Sequence, residues 1–277
     1  MNLILQGKRI PEEALSKIAQ RVGPEKIERI SESAVRLEEA AYDSEVPRIA
    51  DAASLDFAYV PEQARLSDFG LVVMDMDSTL ITIECIDEIA DMIGIKPQVA
   101  AITESAMRGE IDFSESLRQR VSLLSGLEES ALGRVYEERL KLNPGAEIML
   151  DKLKSLGIRT LLVSGGFTFF TERLKSRLGL DYTASNTLEI ENGRLTGRVL
   201  GKIVDAQGKA DWLDRIREEL NLSRDAVIAI GDGANDLKML ARAGLGIAYH
   251  AKPVVREKAA YSLNHVGLDG LLNLFPD

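Results

Sequence analysis

The stretch that decides the fold is an apolar strand that leads directly into two aspartates: Leu71-Val72-Val73-Met74-Asp75-Met76-Asp77-Ser78-Thr79-Leu80. Side chains two residues apart in an extended chain point the same way, so we expect the Asp75 and Asp77 carboxylates on one side. Open α/β sheets bind ligands at the carboxyl ends of their strands, which is where this pair lies. The same composition also occurs in loops and helix caps, so this segment alone leaves a structural role open.

Three more apolar runs follow along the chain, at residues 158–163, 227–230 and 245–248. Because they do not alternate with polar residues, they are typical of strands buried on both faces. Helical patterns accompany them at residues 146–156, 167–178 and 234–243. This alternation predicts an α/β fold with a doubly wound parallel sheet. A helical insert at about residues 83–143 would cap the carboxyl edge of the sheet, and residues 189–200, centred on Asn192-Gly193, should form a hairpin.

Two of these runs end in residues that could bind an ion, an anion in the first case and a cation in the second. The first leads into Ser164-Gly165-Gly166, where glycines allow backbone N–H groups to approach a phosphate, although a plain strand-to-helix turn has the same composition. The second leads into Gly231-Asp232-Gly233-Ala234-Asn235-Asp236. Clustered carboxylates there would make a hard oxygen site for Mg²⁺, and a capping aspartate with solvated neighbours is the alternative. Lys209, between the two, would on its own be a surface charge.

The first part of the chain differs in character from the rest. Short strands are predicted at residues 3–5, 33–37 and 56–60, and helices at 11–21 and 45–55. Residues 1–66 are therefore predicted to form a small N-terminal α/β module, followed by a polar linker and a second domain at residues 67–277. The module contains no chemical constellation, so we assign it no ligand.

Composition narrows the classes of partner. The chain has 277 residues and a formal net charge of −10, and an acidic surface repels nucleic acids and anionic membranes. Cys85 is the only cysteine, which fits a reducing compartment. The apolar run at residues 3–5 is too short for a signal peptide, and no segment has the roughly 18 apolar residues of a membrane span. We therefore expect a cytoplasmic protein, whose oligomeric state stays open, with a homodimer as one option.

Taken together and in their order along the chain, these motifs make residues 70–250 resemble a known family. They resemble the haloacid dehalogenase-like superfamily of aspartate-nucleophile phosphotransferases and, within it, the phosphoserine phosphatases. The resemblance implies that Asp75 is the nucleophile and Asp77 the general acid/base. It implies that Ser164 and the Gly165 backbone bind the phosphate, and that Lys209 neutralises the phosphate and the nucleophile.

The same resemblance implies a Mg²⁺ site. Its ligands would be the Asp75 and Asp232 carboxylates and the Asp77 carbonyl. Asp236 would support the metal and the lysine from behind, and Asn235 would lie near the phosphate. The carboxylate charges of Asp75, Asp232 and Asp236 would then be balanced by Mg²⁺ and Lys209, so we expect Asp77 to be protonated when substrate binds, its pKa raised by like charges.

Residues of the predicted cap carry the substrate assignment. Glu84 corresponds to the carboxylate that binds the substrate ammonium, and Arg120 to the arginine that grips the substrate carboxylate. Met107 and Phe113 correspond to apolar residues that cover the site. Without the resemblance, Glu84 and Arg120 would be ordinary surface charges.

The implied activity is hydrolysis of O-phospho-L-serine to L-serine and phosphate, the last step of serine biosynthesis. Three alternatives stay open. The substrate could be a sugar or nucleotide phosphate, the acceptor an alcohol instead of water, or the core a vestige in a protein that binds a regulatory ligand. The intact set of Asp75, Asp77, Lys209 and Asp232 argues against the last.

Overall fold

Uninterrupted apolar runs form the central strands of the larger of two sheets. In this computed structural model, which describes residues 1–275, every residue of the strands at Leu71–Met74, Val227–Gly231 and Leu245–Tyr249 is buried. Their side chains have no solvent face, which explains the absence of alternation. The α/β fold predicted from the sequence is confirmed.

Eleven strands and twelve α-helices are assigned within residues 1–275. In chain order they are β1 (Asn2–Gln6), α1 (Glu12–Val22), β2 (Lys26–Ser31), β3 (Ala34–Glu38), α2 (Val46–Ala52), β4 (Asp56–Val60), β5 (Leu71–Met74), α3 (Cys85–Met92), α4 (Lys96–Met107), α5 (Phe113–Ser122), α6 (Ser130–Arg134), α7 (Ala146–Ser155), β6 (Arg159–Phe167), α8 (Thr168–Leu178), β7 (Tyr182–Glu191), β8 (Arg194–Leu200), α9 (Ala206–Glu219), β9 (Val227–Gly231), α10 (Leu237–Arg242), β10 (Leu245–Tyr249), α11 (Pro253–Arg256), β11 (Tyr261–Leu263) and α12 (Gly270–Leu274).

The two sheets differ in strand direction. The smaller is antiparallel, in the order β2-β3-β1-β4. The larger has seven strands in the order β11-β10-β9-β5-β6-β7-β8 and is mixed, because β9, β10 and β11 are parallel neighbours and β8 returns antiparallel to β7. Chain order reverses at β5, and ligands of open α/β sheets bind beyond the carboxyl end of the strand at such a switch point.

By its internal contacts the chain divides into two compact units. The first comprises Met1–Val72, Asn143–Arg159 and Leu222–Asp277. It contains the antiparallel sheet, whose core joins side chains of β1 and β3 to buried residues of α1 and α2. Within this unit the Asp56 carboxylate accepts the backbone N–H groups of Asn264 and His265, each at 2.8 Å.

The second unit comprises Val73–Leu142 and Thr160–Asn221. Its helices α3 to α6 precede the β7–β8 hairpin, which turns through Asn192 and Gly193, both with positive φ. The loop after α5 is hydrogen-bonded to β8, because Gly126 N–H donates to Leu195 and Leu195 N–H donates to Leu127, each at 2.8 Å. The domain boundaries expected from the sequence, including a cap at about residues 83–143, stay a prediction.

The helices within residues 1–275 are all short. The longest, α9, has 14 residues, whereas a bilayer span needs about 20 apolar ones. No helix of this part of the chain is both long and apolar enough to cross a membrane.

Candidate active site

Asp75 and Lys209 form a buried ion pair. Asp75 follows β5 with extended backbone angles, and 4% of its surface is exposed. Its Oδ1 accepts the Met76 N–H at 2.7 Å and lies 2.6 Å from Lys209 Nζ. Lys209 is the fourth residue of α9 and is 1% exposed, so it is not the surface charge that its sequence context alone would indicate. A lysine is almost never buried this deeply without a partner, and Asp75 supplies one.

Asp77 is held by two donors from different elements. Its Oδ1 accepts the Cys85 N–H at 2.9 Å, and its Oδ2 accepts the Ser164 hydroxyl at 3.4 Å. Burial raises the pKa of Asp77, while hydrogen bonds from Cys85, the Lys209 charge and the Ser164 hydroxyl oppose the rise. The direction agrees with the expectation from sequence, but the largest cause is removal from water instead of like charges.

Residues Ser164 to Gly166, which we call the Ser164 loop, form the irregular end of β6, where its register with β7 shifts. The Ser164 loop is packed so closely that neither glycine has room for a side chain. A Cβ on Gly165 would lie 2.9 Å from Phe113 Cζ, and a Cβ on Gly166 would lie 2.8 Å from Asp77 Oδ2. Gly166 N–H donates to Ser164 Oγ at 2.8 Å, which curls the loop around the serine. Ser164 and Gly165 are therefore packed between Asp77 and the Phe113 ring.

Three carboxylates converge in a manner that fits a divalent cation. Asp75, Asp232 and Asp236 each offer one oxygen, and these oxygens lie within 4.8 Å of one another. Asp236 is fully buried, and its Oδ2 accepts the N–H groups of Asp232 and Gly233 at 3.1 and 3.0 Å. A cluster of hard oxygen donors with this excess of negative charge suits a divalent metal ion. The Asp77 carbonyl as a ligand, the supporting role of Asp236 and the place of exposed Asn235 stay predictions.

The remaining predicted residues lie on the helices that follow Asp77 or, for Glu84, directly before one. Glu84 accepts the Ser78 hydroxyl at 2.7 Å, and Arg120 donates to the Ser116 carbonyl at 3.3 Å. Burial lowers the pKa of the Arg120 guanidinium, and the nearby charges of Asp87, Glu84 and Asp77 oppose this. Arg120 is therefore a partly buried cation among carboxylates. Met107 ends α4 with 71% of its surface exposed, and its contact with substrate stays a prediction.

One buried polar residue of this region has no counterpart in the sequence analysis. Asn186, within β7, is 1% exposed and bonds to backbone groups of Gly165 and Val204. The segment Tyr182–Glu191 has neither a strand-end aspartate nor a glycine turn before Asn186. A lone asparagine inside a strand pattern, where such residues are depleted, was the only available indication.

Comparison with known families agrees with this geometry. A family model described as haloacid dehalogenase-like hydrolase matches residues 72–241. The chain belongs to this family. Residues 3–46 match a second model, described as a domain of unknown function.

Relatives of this hydrolase cover most or all of the chain. A phosphoserine phosphatase from Polaromonas sp. strain JS666 is 55% identical over 215 residues, 76% of this chain and 91% of that protein. The crystal structure of a haloacid dehalogenase family hydrolase from Salmonella enterica serovar Typhi superposes with a TM-score of 0.89 at 35% identity, covering 100% and 98% of the two chains. A probable phosphoserine phosphatase from Vibrio cholerae, in its unliganded form, gives 0.87 at 40% identity, covering 99% and 86%.

Proposed function

We propose that this hydrolase converts O-phospho-L-serine to L-serine and inorganic phosphate through a covalent phosphate on Asp75. The observation that carries the proposal is the buried Asp75–Lys209 pair at 2.6 Å, beside Asp77 and Ser164. An ionised carboxylate next to a fixed ammonium can approach a phosphoryl group that would otherwise repel it. The phosphatases named among the relatives support the substrate.

In the first half-reaction, an Asp75 oxygen attacks phosphorus in line with the bond to the serine oxygen. That bond breaks, and its electron pair stays on the departing oxygen. Asp77, whose pKa is raised by burial, is protonated and donates its proton to this oxygen. Lys209 and the Ser164 hydroxyl stabilise charge on the other phosphoryl oxygens. L-serine leaves, and Asp75 carries an acyl phosphate.

In the second half-reaction, the same Asp77 acts as a base. It is now a carboxylate and removes a proton from a water molecule that attacks phosphorus. The bond between phosphorus and the Asp75 oxygen breaks, which restores the carboxylate and releases inorganic phosphate. One residue thus serves both halves, and the ester of a poor leaving group is exchanged for a far more reactive acyl phosphate.

We assign Mg²⁺ to the carboxylates of Asp75 and Asp232 and to the Asp77 carbonyl, with Asp236 supporting the metal from behind. The cluster of Asp75, Asp232 and Asp236 oxygens supports a divalent ion there. When bound, it would neutralise charge on the phosphoryl oxygens. Asp236 keeps the strand-end loop closed through the N–H groups of Asp232 and Gly233, and so fixes the backbone of Asp232.

We assign recognition of the serine part to residues after Asp77. Arg120 would pair with the substrate carboxylate and Glu84 with its ammonium. Arg120 is a desolvated cation, and a charge-assisted, bidentate hydrogen bond to a carboxylate would be strong there. Phe113, already in contact with Gly165, would cover the phosphoryl group together with Met107, and Asn235 would lie at its edge.

Phosphate release from L-phosphoserine tests the proposal directly. We expect turnover with Mg²⁺, loss of turnover with excess EDTA, and recovery when Mg²⁺ is restored. Asp75→Asn should be inactive, whereas Asp211→Asn, an exposed aspartate on α9, should match the wild type. Acid quenching during turnover of phosphate-labelled substrate should leave label on the protein. Activity of Asp75→Asn at the wild-type rate would exclude the covalent mechanism, and turnover of a sugar phosphate instead of phosphoserine would exclude the substrate.

A further inference from the structure

The carboxamide of Asn186 joins two segments that are distant in sequence. Its Nδ2 donates to the Gly165 carbonyl at 2.8 Å, and its Oδ1 accepts the Val204 N–H at 2.8 Å. The side chain is 1% exposed, so water does not compete readily for either bond. A buried carboxamide whose two ends bind different backbones fixes both of them at once.

The first bond acts on the Ser164 loop, residues 164–166. All peptide bonds within residues 1–275 are trans, so the Gly165 carbonyl and the Gly166 N–H point in opposite directions. Asn186 holds the carbonyl, and Ser164 Oγ accepts the N–H at 2.8 Å. The peptide between the two glycines is therefore held at both ends. Because Ser164 Oγ is an acceptor in this bond, its proton remains to be donated, here to Asp77.

The second bond acts on the start of α9. Val204 precedes Asp205, the N-cap residue, whose carboxylate accepts the Gly208 N–H at 2.8 Å. The Asp205 carbonyl accepts the Lys209 N–H at 2.9 Å, so the backbone of Lys209 lies one turn from the Asn186 contact. The direction in which Lys209 reaches Asp75 thus depends on where Val204 is held.

We propose that Asn186 is a positioning residue for phosphoryl transfer. It sets the distance between the Ser164 loop and the Lys209 helix, so that the serine hydroxyl and the lysine ammonium converge on the same phosphoryl group. It does not touch the substrate. The inference rests on the proposed function in one respect, which is that the reacting group is a phosphate.

Removing the carboxamide should lower catalysis without changing specificity. Asn186→Leu keeps a side chain of similar size and removes both bonds. A displacement of catalytic groups by about 1 Å can cost about 100-fold in rate, so we expect a loss of at least about ten-fold in kcat/KM. The loss should be equal for phosphoserine and p-nitrophenyl phosphate, because both depend on the same loop and lysine. We also expect the Kd of orthovanadate, a phosphate analogue, to rise about ten-fold, the equivalent of one weakened charged hydrogen bond.

A matched control separates positioning from a general loss of stability. Thr171→Val, in α8, removes a hydrogen bond of another fully buried side chain, the 2.8 Å contact with Ser185, which is next to Asn186 in sequence. We expect it to be destabilised but to keep the wild-type kcat/KM and vanadate Kd. A smaller folded fraction would reduce the number of vanadate sites in calorimetry and leave Kd unchanged.

Each outcome decides for or against the role of Asn186. Folded Asn186→Leu protein with kcat/KM and vanadate Kd within two-fold of the wild type would overturn it. If that variant does not fold, Asn186→Ala, which leaves room for a bridging water, is judged by the same criteria. Wild-type protein that binds vanadate and hydrolyses p-nitrophenyl phosphate but not phosphoserine would refute the proposed substrate and leave the Asn186 ratios valid.

Discussion

Replacement of Lys209 by methionine tests the charge arrangement at the phosphoryl site. Methionine has a similar length and no charge, so Lys209→Met removes the ammonium that lies 2.6 Å from Asp75 Oδ1. At that distance and an effective dielectric of 20, the attraction is about 6 kcal/mol. Burying the lysine charge costs free energy, which offsets part of this attraction. Removing one partner of a buried ion pair typically costs about 3–5 kcal/mol. If the activation free energy rises by this amount, the rate falls by about 100- to 5,000-fold.

Steady-state phosphate release with saturating Mg²⁺ measures this loss. We expect similar factors for phosphoserine and p-nitrophenyl phosphate, since in the proposed mechanism Lys209 acts on Asp75 and the phosphoryl group and not on the serine part. Lys202→Met is the matched control, because Lys202 is 86% exposed and its partner Asp211 lies 3.8 Å away. It should keep wild-type activity. A folded Lys209→Met enzyme within ten-fold of the wild type would refute the electrostatic role of the buried pair.

The remaining predictions concern specificity, proton transfer and stability. Arg120→Ala should reduce phosphoserine turnover far more than p-nitrophenyl phosphate turnover. Arg118 is exposed on the same helix, so Arg118→Ala should change neither. Equal losses on both substrates in Arg120→Ala would argue against the carboxylate contact. Asp77→Asn should impair both half-reactions, and a wild-type rate on p-nitrophenyl phosphate would exclude Asp77 from water activation. Burial raises the pKa of Asp56 above its unfolded value of 3.8, so its contribution to stability is present below that pH and is lost as the pH rises through the folded pKa. Urea unfolding should therefore show the wild type losing stability relative to Asp56→Asn over this window, and parallel pH profiles would contradict the assignment.

Elements whose sequence pattern is local could be predicted from the sequence. Strands β5, β9 and β10 were predictable because each is buried on both faces and reads as a continuous apolar run. The β7–β8 hairpin was predictable from Asn192-Gly193, whose positive φ angles suit its tight turn. Each of these features is determined by a single short segment of sequence, so no knowledge of distant contacts is required to predict it.

Strands with a weak apolar pattern, and residues that depend on distant partners, were not predictable. Strand β2 alternates exposed and half-buried residues at the edge of its sheet, and β11 has only three residues, so neither gives a clear pattern. Asn186 and Asp56 resemble ordinary strand residues until their partners, 21 and 208 residues away, are brought close. The proposed catalytic residues Asp75 and Asp77 were predictable because they directly follow the apolar strand β5, whereas residues that hold backbone in place have no such marker.

Charge balance explains why an acidic protein can act on a dianion. Asp75, Asp232 and Asp236 lie together, and the ammonium of Lys209 is paired with Asp75. Three carboxylates and one ammonium leave an excess of two negative charges, which repels a phosphate carrying two more. A divalent cation held by these carboxylates would remove that excess. The same carboxylates that would repel the substrate are thus the groups that would hold the cation, so we expect substrate binding to depend on the metal.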